Sequence, residues 1–586
     1  MPIAPSGTNH QLVGALRWIL WLIPFGSAAV FIARYGVDVP YVDQWGLPWL
    51  FAAAADGHGL GLQLRTCINE HPVLFPKLVW LATAFATKWN TRADMAVNLA
   101  VLLVTFIAIE RIVARETSRR FDWIATLAVL VIGVVMFSLV DYDGLLFGAC
   151  LPYLAVDACV VFAIWSLLAF SSSPFLSLAI AWSFCIIASY SSLQGMLSWL
   201  VMVPCVVASI EDRRFALRVA AATLLVGVVV GGVYLIAFIR SAPPTDHSFS
   251  LHHPIQAILF FVALIGAPLA QTPWMSLTSA SVLIGLILVA RFSAELVLSV
   301  ISGRWREAAP WISIGTLGLG FAAMISLGRS EWGLESAATS SRYMSTTSLI
   351  AIAVIGMWRR QWYEAARRRV TFAMFAGGIA ALSIVGSITS IPIARGIARE
   401  RRRAAAYLEL VRYIDPATDR SRESPLEPLE PLVEYIPLIR PSVELAAQLG
   451  FRKVAMHVPF IENPPANYGW VDRANPDGPQ VVRPGDYVYV SGWAIIPTEN
   501  RMPKFVVITT NDARLFISAA WLGTVPRADV AAALENKRFK KSGWGVLIPA
   551  KFLPPGESTL HAWAYDDHAQ ELVRLEGGKR VIRSSN

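Results

Sequence analysis

Residues 217–239, LRVAAATLLVGVVVGGVYLIAFI, form an apolar run that carries a single charge, Arg218. A helix of about 20 apolar residues is long enough to cross the hydrocarbon core of a bilayer. Comparable runs recur as far as about residue 393, which predicts an α-helical polytopic membrane protein. We place about eleven spans, at 12–33, 93–114, 122–139, 151–170, 174–190, 195–210, 217–239, 274–299, 309–327, 344–358 and 370–393.

The composition agrees with a membrane protein. Of the 586 residues, 55% are hydrophobic and only 16% are charged, whereas a soluble protein carries about 25% charged residues. The net charge of +9 requires no nucleic-acid partner, because most arginines collect in short clusters between the spans. The five cysteines have no CxxC spacing and are interpreted as small apolar side chains. No cleavable signal is evident, so residues 12–33 are interpreted as a retained first helix.

Basic clusters predict the orientation of the chain. Four of them share the cytoplasmic side if one of the segments 254–270 and 274–299 does not cross the membrane. These clusters are Arg111/Arg115/Arg119/Arg120, Arg213/Arg214/Arg218, Arg304/Arg306 and Arg359/Arg360/Arg367/Arg368/Arg369. The N-terminus is then cytoplasmic and the C-terminus extracytoplasmic. A fifth cluster at 395–403 conflicts with this bias unless it lies on lipid headgroups along an interfacial helix, 395–413.

Three domains follow from the composition. Residues 1–394 form the membrane domain, with a long first outer loop at 34–92, and residues 395–455 form the interfacial helix and a proline-rich linker. From 456 to 586 short alternating runs such as DYVYVSGWAII (486–496) and STLHAWAY (558–565) are separated by turn residues. This pattern predicts an extracytoplasmic all-β sandwich.

The predicted outer loops contain most of the ionisable residues that are candidates for chemistry. An unpaired charge at the edge of a bilayer costs several kcal/mol, so such a cluster usually marks a site, although an ordinary hydrated loop is the alternative. The candidates are Asp38, Asp43, Arg65, Glu70, His71 and Lys77 in the first loop, Asp141 and Asp143, Gln194, the group Asp246, His247, His252 and His253, and the group Arg329, Glu331 and Arg342.

Five short segments carry a family resemblance: YVDQW (41–45), NEHPVLFPKL (69–78), YSSLQGMLSW (190–199), GRS (328–330) and SRY (341–343). Together with a first outer loop that contains an aspartate, they resemble the GT-C superfamily of integral membrane glycosyltransferases. More narrowly, they are similar to GT-C-like proteins from bacterial O-antigen and surface-polysaccharide clusters. The resemblance covers roughly residues 12–360 and, more loosely, the linker and the β-domain.

The resemblance implies inverting transfer of a sugar from a polyprenyl-phosphate-linked donor to a cell-surface glycan or lipid-linked acceptor. It places the reaction on the outer face of the bacterial plasma membrane and implies no cofactor. Asp43 matches the first-loop carboxylate expected to act as general base. The substrate-binding candidates are Glu70, His71, Lys77, Asp141, Asp143, Gln194, Arg329 and Arg342. Arg329 and Arg342 are the best phosphate ligands, because guanidinium binds phosphate bidentately.

Each of these residues also has a structural interpretation. Arg329 and Arg342 could instead extend to lipid headgroups, and the Asp141/Asp143 pair could belong to a solvated loop. Glu70 and His71 could hold a divalent ion. This is the weaker alternative, because the side chains of neighbouring residues usually point apart. The histidines at 247, 252 and 253 show no convergence of the kind that zinc requires. Trp470, Trp493, Trp544 and Trp563 could stack on sugars or pack in a core.

Two other classes of function stay open. A flippase or transporter of lipid-linked saccharides predicts charges deep within spans and broken helices at mid-membrane, whereas the charges of this sequence cluster at span ends. A non-catalytic assembly protein that binds glycans through its β-domain would tolerate the loss of both Asp43 and Arg342.

Overall fold

The computed structural model describes residues 7–68, 71, 73–116, 123–238, 248–361, 366–415, 439–455, 457–472, 479–511 and 513–584. Of the predicted candidates, Glu70, Asp246 and His247 lie outside these residues, as does most of the proline-rich linker. The chain divides into two compact units. Unit 1 contains residues up to Asp38 and Ala53–Ala398, and unit 2 contains Val39–Ala52 and the residues from Arg399 onward.

The helices are α1 (Gly7–Tyr35), α2 (Leu47–Asp56), α3 (Leu60–Arg65), α4 (Leu74–Thr87), α5 (Thr91–Arg115), α6 (Trp123–Met136), α7 (Tyr142–Leu146), α8 (Leu151–Ala169), α9 (Pro174–Ser189), α10 (Leu197–Val201) and α11 (Val203–Ser209). They continue with α12 (Arg213–Phe238), α13 (Ser248–His252), α14 (Pro254–Gly266), α15 (Leu277–Ile301), α16 (Trp305–Arg329), α17 (Gly333–Thr339), α18 (Met344–Gln361), α19 (Ala366–Leu408), α20 (Ile439–Gln448) and α21 (Ala528–Ala533).

Six helical segments of the described chain are long and apolar enough to cross a membrane: Thr91–Arg115, Gly148–Ala169, Arg213–Ile236, Leu277–Ile301, Trp305–Thr339 and Arg369–Leu408. Each overlaps a span predicted from the sequence, which confirms the coarser prediction of a mostly helical chain with several candidate membrane-spanning helices. The apolar helix α12 exposes Val228 to 70% and Ile236 to 79%. Such exposure of a long apolar helix is stable against lipid, whereas in water it would favour aggregation.

Two predicted boundaries differ from the observed helices. The predicted span 195–210 is broken into α10 and α11, and Pro204, which has no backbone N–H to donate, lies in the first turn of α11. In contrast, α19 continues without a break from Ala366 to Leu408 through Pro392, although the sequence predicts a separate interfacial helix from 395.

Polar pairs connect the packed helices of unit 1. Thr346 on α18 donates a hydrogen bond of 2.9 Å to the buried Asp157 of α8. At the other end of α18, Arg359 forms an ion pair with Glu116, which also accepts a 3.0 Å hydrogen bond from the indole of Trp311 on α16. A buried carboxylate is tolerated when it is paired, so these contacts fix how α8, α16 and α18 pack.

The C-terminal part of unit 2 is a β region made of two sheets. Its strands are β1 (Phe460–Ile461), β2 (Gly469–Val471), β3 (Gln480–Val482), β4 (Tyr487–Ala494), β5 (Val506–Thr510), β6 (Phe516–Ala520), β7 (Gly543–Pro549), β8 (Gly556–Asp566), β9 (Glu571–Arg574) and β10 (Lys579–Arg583). The larger sheet has the order β1-β9-β8-β10-β3, with β5 between β8 and β6, and the smaller sheet has the order β2-β4-β7. Buried side chains from both sheets, including Val490 and Val506, belong to one hydrophobic cluster.

Candidate functional site

A cavity of about 420 Å³ in unit 1 brings together residues that are far apart in the sequence. Its volume lies in the range of small-molecule sites. It is lined by His71, Leu193, Gln194, Ser250, Leu251, Met324, Ile325, Leu327, Gly328 and Arg329. We call this the polar cavity, because His71, Gln194, Ser250 and Arg329 converge on an otherwise apolar wall. Three of these four residues are candidates from the sequence.

His71 reaches the polar cavity through a short backbone pairing. Its N–H donates to the carbonyl of Ile68 at 3.1 Å, and the N–H of Ile68 donates to the carbonyl of His71 at 2.8 Å. The backbone N–H of Leu193 donates to Nδ1 of His71 at 3.4 Å. Because Nδ1 acts as the acceptor, a neutral imidazole at this position carries its proton on Nε2.

Lys77 holds the segment before His71 in place. Its side chain is buried, and its Nζ donates to the backbone carbonyls of Gln63, at 2.8 Å, and of Thr66. Burial lowers the pKa of Lys77 from 10.5 to about 8. Lys77 does not line the polar cavity, so its contacts favour a structural role for a residue that the sequence suggested as a substrate ligand.

The burial of Lys77 predicts a pH dependence of stability. Because its pKa is lower in the folded protein, the unfolded chain binds more protons between about pH 8 and pH 10.5, and the free energy of unfolding rises with pH across that window. We expect Lys77→Met to remove this rise and to destabilise the protein by about 1–3 kcal/mol, since two carbonyls lose their donor. Thermal unfolding of the solubilised full chain at about pH 8 and about pH 10 measures both effects.

Lys88→Met is the matched control, because Lys88 is an exposed lysine at the other end of α4. It is expected to retain the pH dependence of the wild type. The prediction is wrong if the midpoint of thermal unfolding rises by the same amount between the two pH values in Lys77→Met and in the wild type. Lys77 would then not be the source of the pH dependence.

Gln194 lies in a tight turn that requires glycine at the next position, Gly195. The turn is a 3₁₀ helix, Leu193–Met196, in which Gln194 is buried and accepts a hydrogen bond from the Ser192 hydroxyl. A Cβ on Gly195 would lie 1.8 Å from the carbonyl oxygen of Ala188. The close approach of these two backbone segments therefore requires glycine and fixes where Gln194 lies.

Arg329 lies in the last turn of α16 and is half-buried. Its guanidinium carbon lies 4.4 Å from the ring centroid of Trp332, a distance at which a cation–π interaction is favourable. Within the described part of the chain, the guanidinium makes no hydrogen bond and no ion pair. A half-buried cation without a carboxylate partner is a candidate anion ligand.

Arg342 belongs to a second group of polar residues in unit 1. It lies in a 3₁₀ helix, Ser341–Tyr343, and its guanidinium carbon lies 5.5 Å from the ring centroid of Tyr343, which in turn packs edge to face against the ring of Tyr153 at 5.9 Å. The N–H of Asp143 donates to the Ser341 hydroxyl at 3.1 Å, which ties the two segments together.

Asp141 is the N-cap of α7. Its Oδ1 accepts a 3.1 Å hydrogen bond from the N–H of Gly144, and burial raises the pKa of this carboxyl well above its ordinary value. A Cβ on Gly144 would lie 2.2 Å from the carboxylate, so the cap also requires glycine. These contacts favour a structural role for Asp141 over ligand binding.

Asp43 belongs to unit 2, whereas Arg329 and Arg342 belong to unit 1. It lies half-exposed in a 3₁₀ helix, Val42–Gly46, and follows Val42, whose φ of 43° is strained for a β-branched residue. The preceding Tyr41 lies under the guanidinium of Arg401, 4.1 Å from ring centroid to guanidinium carbon. Residues held in such strained backbone conformations are found preferentially at functional sites. A pocket shared by Asp43 and the arginines stays a prediction.

An apolar groove of about 330 Å³ adjoins the polar cavity, since Leu193 lines both. It is lined by Leu193, Met196, Trp199, Leu200, Leu224, Gly227, Val228, Gly231, Tyr234 and Leu235. A Cβ on Gly227 would lie 2.6 Å from Cγ of Trp199, so a larger residue at 227 would collide with this wall of the groove. The exposed side chains of Leu200 and Val228 leave the groove open at the surface of the helices.

The sequence singled out neither Ser250 nor Tyr153, although both belong to this region. Ser250 comes shortly after residues 239–247, and no sequence pattern marks it. Tyr153 lies inside a predicted span, where tyrosine is common and therefore gives no signal. Among the residues described, no three histidine, cysteine or acidic side chains are grouped so that they could hold a metal ion. His252 and His253 are exposed on and next to α13.

No protein-family model matches this chain, and no curated protein matches it.

Proposed function

We propose that the protein is a membrane glycosyltransferase that uses a polyprenyl-phosphate-linked sugar as donor. The observation that carries this proposal is that Leu193 lines both the polar cavity and the apolar groove. A ligand that fills both must have an anionic or polar head and a long apolar tail. A lipid-linked sugar has this composition, since a phosphate lies between its sugar and its isoprenoid chain.

The charges of the polar cavity favour a phosphate at the head of the ligand. Arg329 is a cation without an ion-pair partner among the described residues, and His71 and Gln194 offer further polar groups beside it. Charge-assisted hydrogen bonds from guanidinium to phosphate are among the stronger ones in proteins. The same contacts favour departure of the polyprenyl phosphate, because they stabilise the charge that forms on the leaving oxygen.

Asp43 is the proposed general base. In an inverting displacement the acceptor hydroxyl attacks the anomeric carbon, the bond to the phosphate breaks, and the hydroxyl proton passes to the carboxylate. Positioned proton acceptors typically contribute about 10²–10⁴-fold to the rate. The half-exposed position of Asp43 and the strained residue before it support this role.

The reaction is proposed for the extracytoplasmic face of a bacterial plasma membrane. The proposal retains about eleven spans, a cytoplasmic N-terminus and a two-layer β-sandwich at the C-terminus. Its support is the positive-inside bias of the arginine clusters.

The proposal is tested with the full chain in nanodiscs and a panel of polyprenyl-phosphate-sugars. We expect native mass spectrometry to detect a bound polyprenyl phosphate or its sugar conjugate, and we expect release of free polyprenyl phosphate when a glycan acceptor is added. Binding without cleavage, combined with movement of the intact lipid across proteoliposomes, would identify a transporter instead. An absence of both binding and release across the panel would contradict the proposal.

A further inference from the structure

The outer face of the smaller sheet of unit 2 carries a strip of exposed aromatic rings. In β4 the side chains alternate, so that Val488 and Val490 are buried while Tyr487 is 57% and Tyr489 48% exposed. On the neighbouring strand β2, Trp470 is exposed and lies opposite Trp493. Soluble surfaces rarely expose several large rings together unless the patch binds something.

Strand β7 leaves the Trp493 end of the aromatic strip open, whereas the exposed Leu547 of β7 lies opposite Tyr489. Its outward positions opposite Trp493 and Ser491 are glycines, Gly543 and Gly545. A Cβ on Gly545 would lie 2.4 Å from the hydroxyl oxygen of Tyr489, so the tyrosine ring covers the glycine. The neighbouring Trp544 points inward and is fully buried, which excludes it from the strip. From Tyr487 to Trp493 the strip is about 20 Å long at the usual rise of a strand.

A basic segment lies at the Trp493 end of this strip. The 3₁₀ helix Lys537–Lys541 is anchored by the buried Phe539, which belongs to the cluster against which Trp493 packs. Its other four residues, Lys537, Arg538, Lys540 and Lys541, are exposed. None of these four cations forms an ion pair with any residue that the structure describes.

The acidic residues nearby do not neutralise the basic segment. Asp472 and Asp529 both form ion pairs with Arg527, at 2.9 Å and 2.7 Å between nitrogen and oxygen. Glu535 is the single exposed acid in the segment 535–541, which contains four cations. The end of the aromatic strip therefore has a net positive charge.

We propose that this face binds an extended acidic polysaccharide. Pyranose rings have apolar CH faces that stack on Tyr487, Tyr489 and the Trp470–Trp493 pair, while carboxylates on the sugars pair with the cations of the segment Lys537–Lys541. An elongated, solvent-exposed strip suits an extended chain, and the cations favour an anionic one. This proposal goes beyond the transfer reaction and is tested by binding alone, so its failure leaves the proposed activity untouched.

The test is a titration of the full chain, held in nanodiscs of zwitterionic lipid, with polyuronate oligosaccharides and with a neutral glucan of equal length. We expect the polyuronate to bind more tightly than the glucan and to weaken as salt is raised. The double variant Tyr487→Ala/Tyr489→Ala is expected to raise the Kd for polyuronate about tenfold, which corresponds to about 1.4 kcal/mol. A variant in which glutamine replaces Lys537, Arg538, Lys540 and Lys541 is also expected to raise the Kd for polyuronate about tenfold. It is expected to remove the salt dependence of binding as well.

Two matched controls come from the same unit. Leu515→Ala removes an exposed apolar side chain near β6, and Arg580→Gln removes an exposed cation on β10, both outside the aromatic strip. They are expected to bind as the wild type does. Thermal unfolding of each variant verifies that loss of binding is not loss of folding.

Three results would overturn the proposal. They are the absence of polyuronate binding, equal affinity for the neutral glucan, and folded variants that bind as tightly as the wild type. Protection of Lys537, Lys540 and Lys541 from chemical acetylation in anionic nanodiscs, without any polyuronate binding, would show that the basic segment contacts a membrane surface instead.

Discussion

Replacement of Asp43 by asparagine is expected to lower the turnover of sugar transfer by about 10²–10⁴-fold. An amide has nearly the same shape as the carboxylate but cannot accept the proton of the attacking hydroxyl. Because the shape is kept, the KM for the lipid-linked donor is expected to change little. Release of polyprenyl phosphate by the full chain in nanodiscs measures both quantities.

The control for this prediction lies thirteen residues further along the same loop. Asp56 is the exposed last residue of α2, and Asp56→Asn makes the same chemical change. It is expected to retain wild-type turnover. Wild-type turnover in Asp43→Asn would remove Asp43 as the base, whereas equal losses in both variants would indicate a general effect of charge in this loop.

Replacement of Arg329 by glutamine is expected to weaken binding of the donor by about 10–100-fold. A hydrogen bond to a charged group contributes about 1.5–3 kcal/mol, and each 1.4 kcal/mol is about a factor of ten in Kd. Arg329→Lys keeps the charge but loses the bidentate geometry, so its affinity for the donor is expected to lie between those of the wild type and Arg329→Gln. Native mass spectrometry or a fluorescence titration with polyprenyl phosphate gives the Kd values.

Two comparisons make this second prediction specific. Lys88→Gln removes an exposed cation of unit 1 that does not line the polar cavity, and it is expected to bind as the wild type does. Binding of an uncharged polyprenol is expected to be weak and to be the same in the wild type and Arg329→Gln. If Arg329→Gln binds polyprenyl phosphate with wild-type affinity, the polar cavity does not hold the phosphate.

Buried carboxylates change one argument made from the sequence. The sequence places most charges at the ends of spans, which counts against a transporter. In the structure, Asp157 lies within α8 and Glu295 within α15, and both are buried. Each has a partner: Asp157 accepts a hydrogen bond from Thr346, and Glu295 pairs with Arg291. These pairs fit a packing role, so the lipid-movement assay is the direct way to separate the two functions.

Local sequence patterns were enough to predict the helical class of unit 1 and the C-terminal β region. Length and apolarity suffice for a membrane helix, because the bilayer sets the length and an isolated helix satisfies its own backbone hydrogen bonds. An alternation of buried-type apolar residues with other residues suffices to predict a strand such as β4, because successive side chains point to opposite faces of a sheet. Both signals are local, and the structure confirms six long apolar helices and a C-terminal β region.

Which polar residues meet became visible only in the folded chain. His71, Gln194 and Arg329 come from three segments more than 100 residues apart and line one cavity, whereas Lys77, six residues from His71, is taken up by backbone carbonyls. The fold also decided that Asp43 belongs with the residues after 398. Contacts between distant segments depend on how helices pack, and packing follows from the shapes of whole surfaces that no short pattern in the sequence encodes.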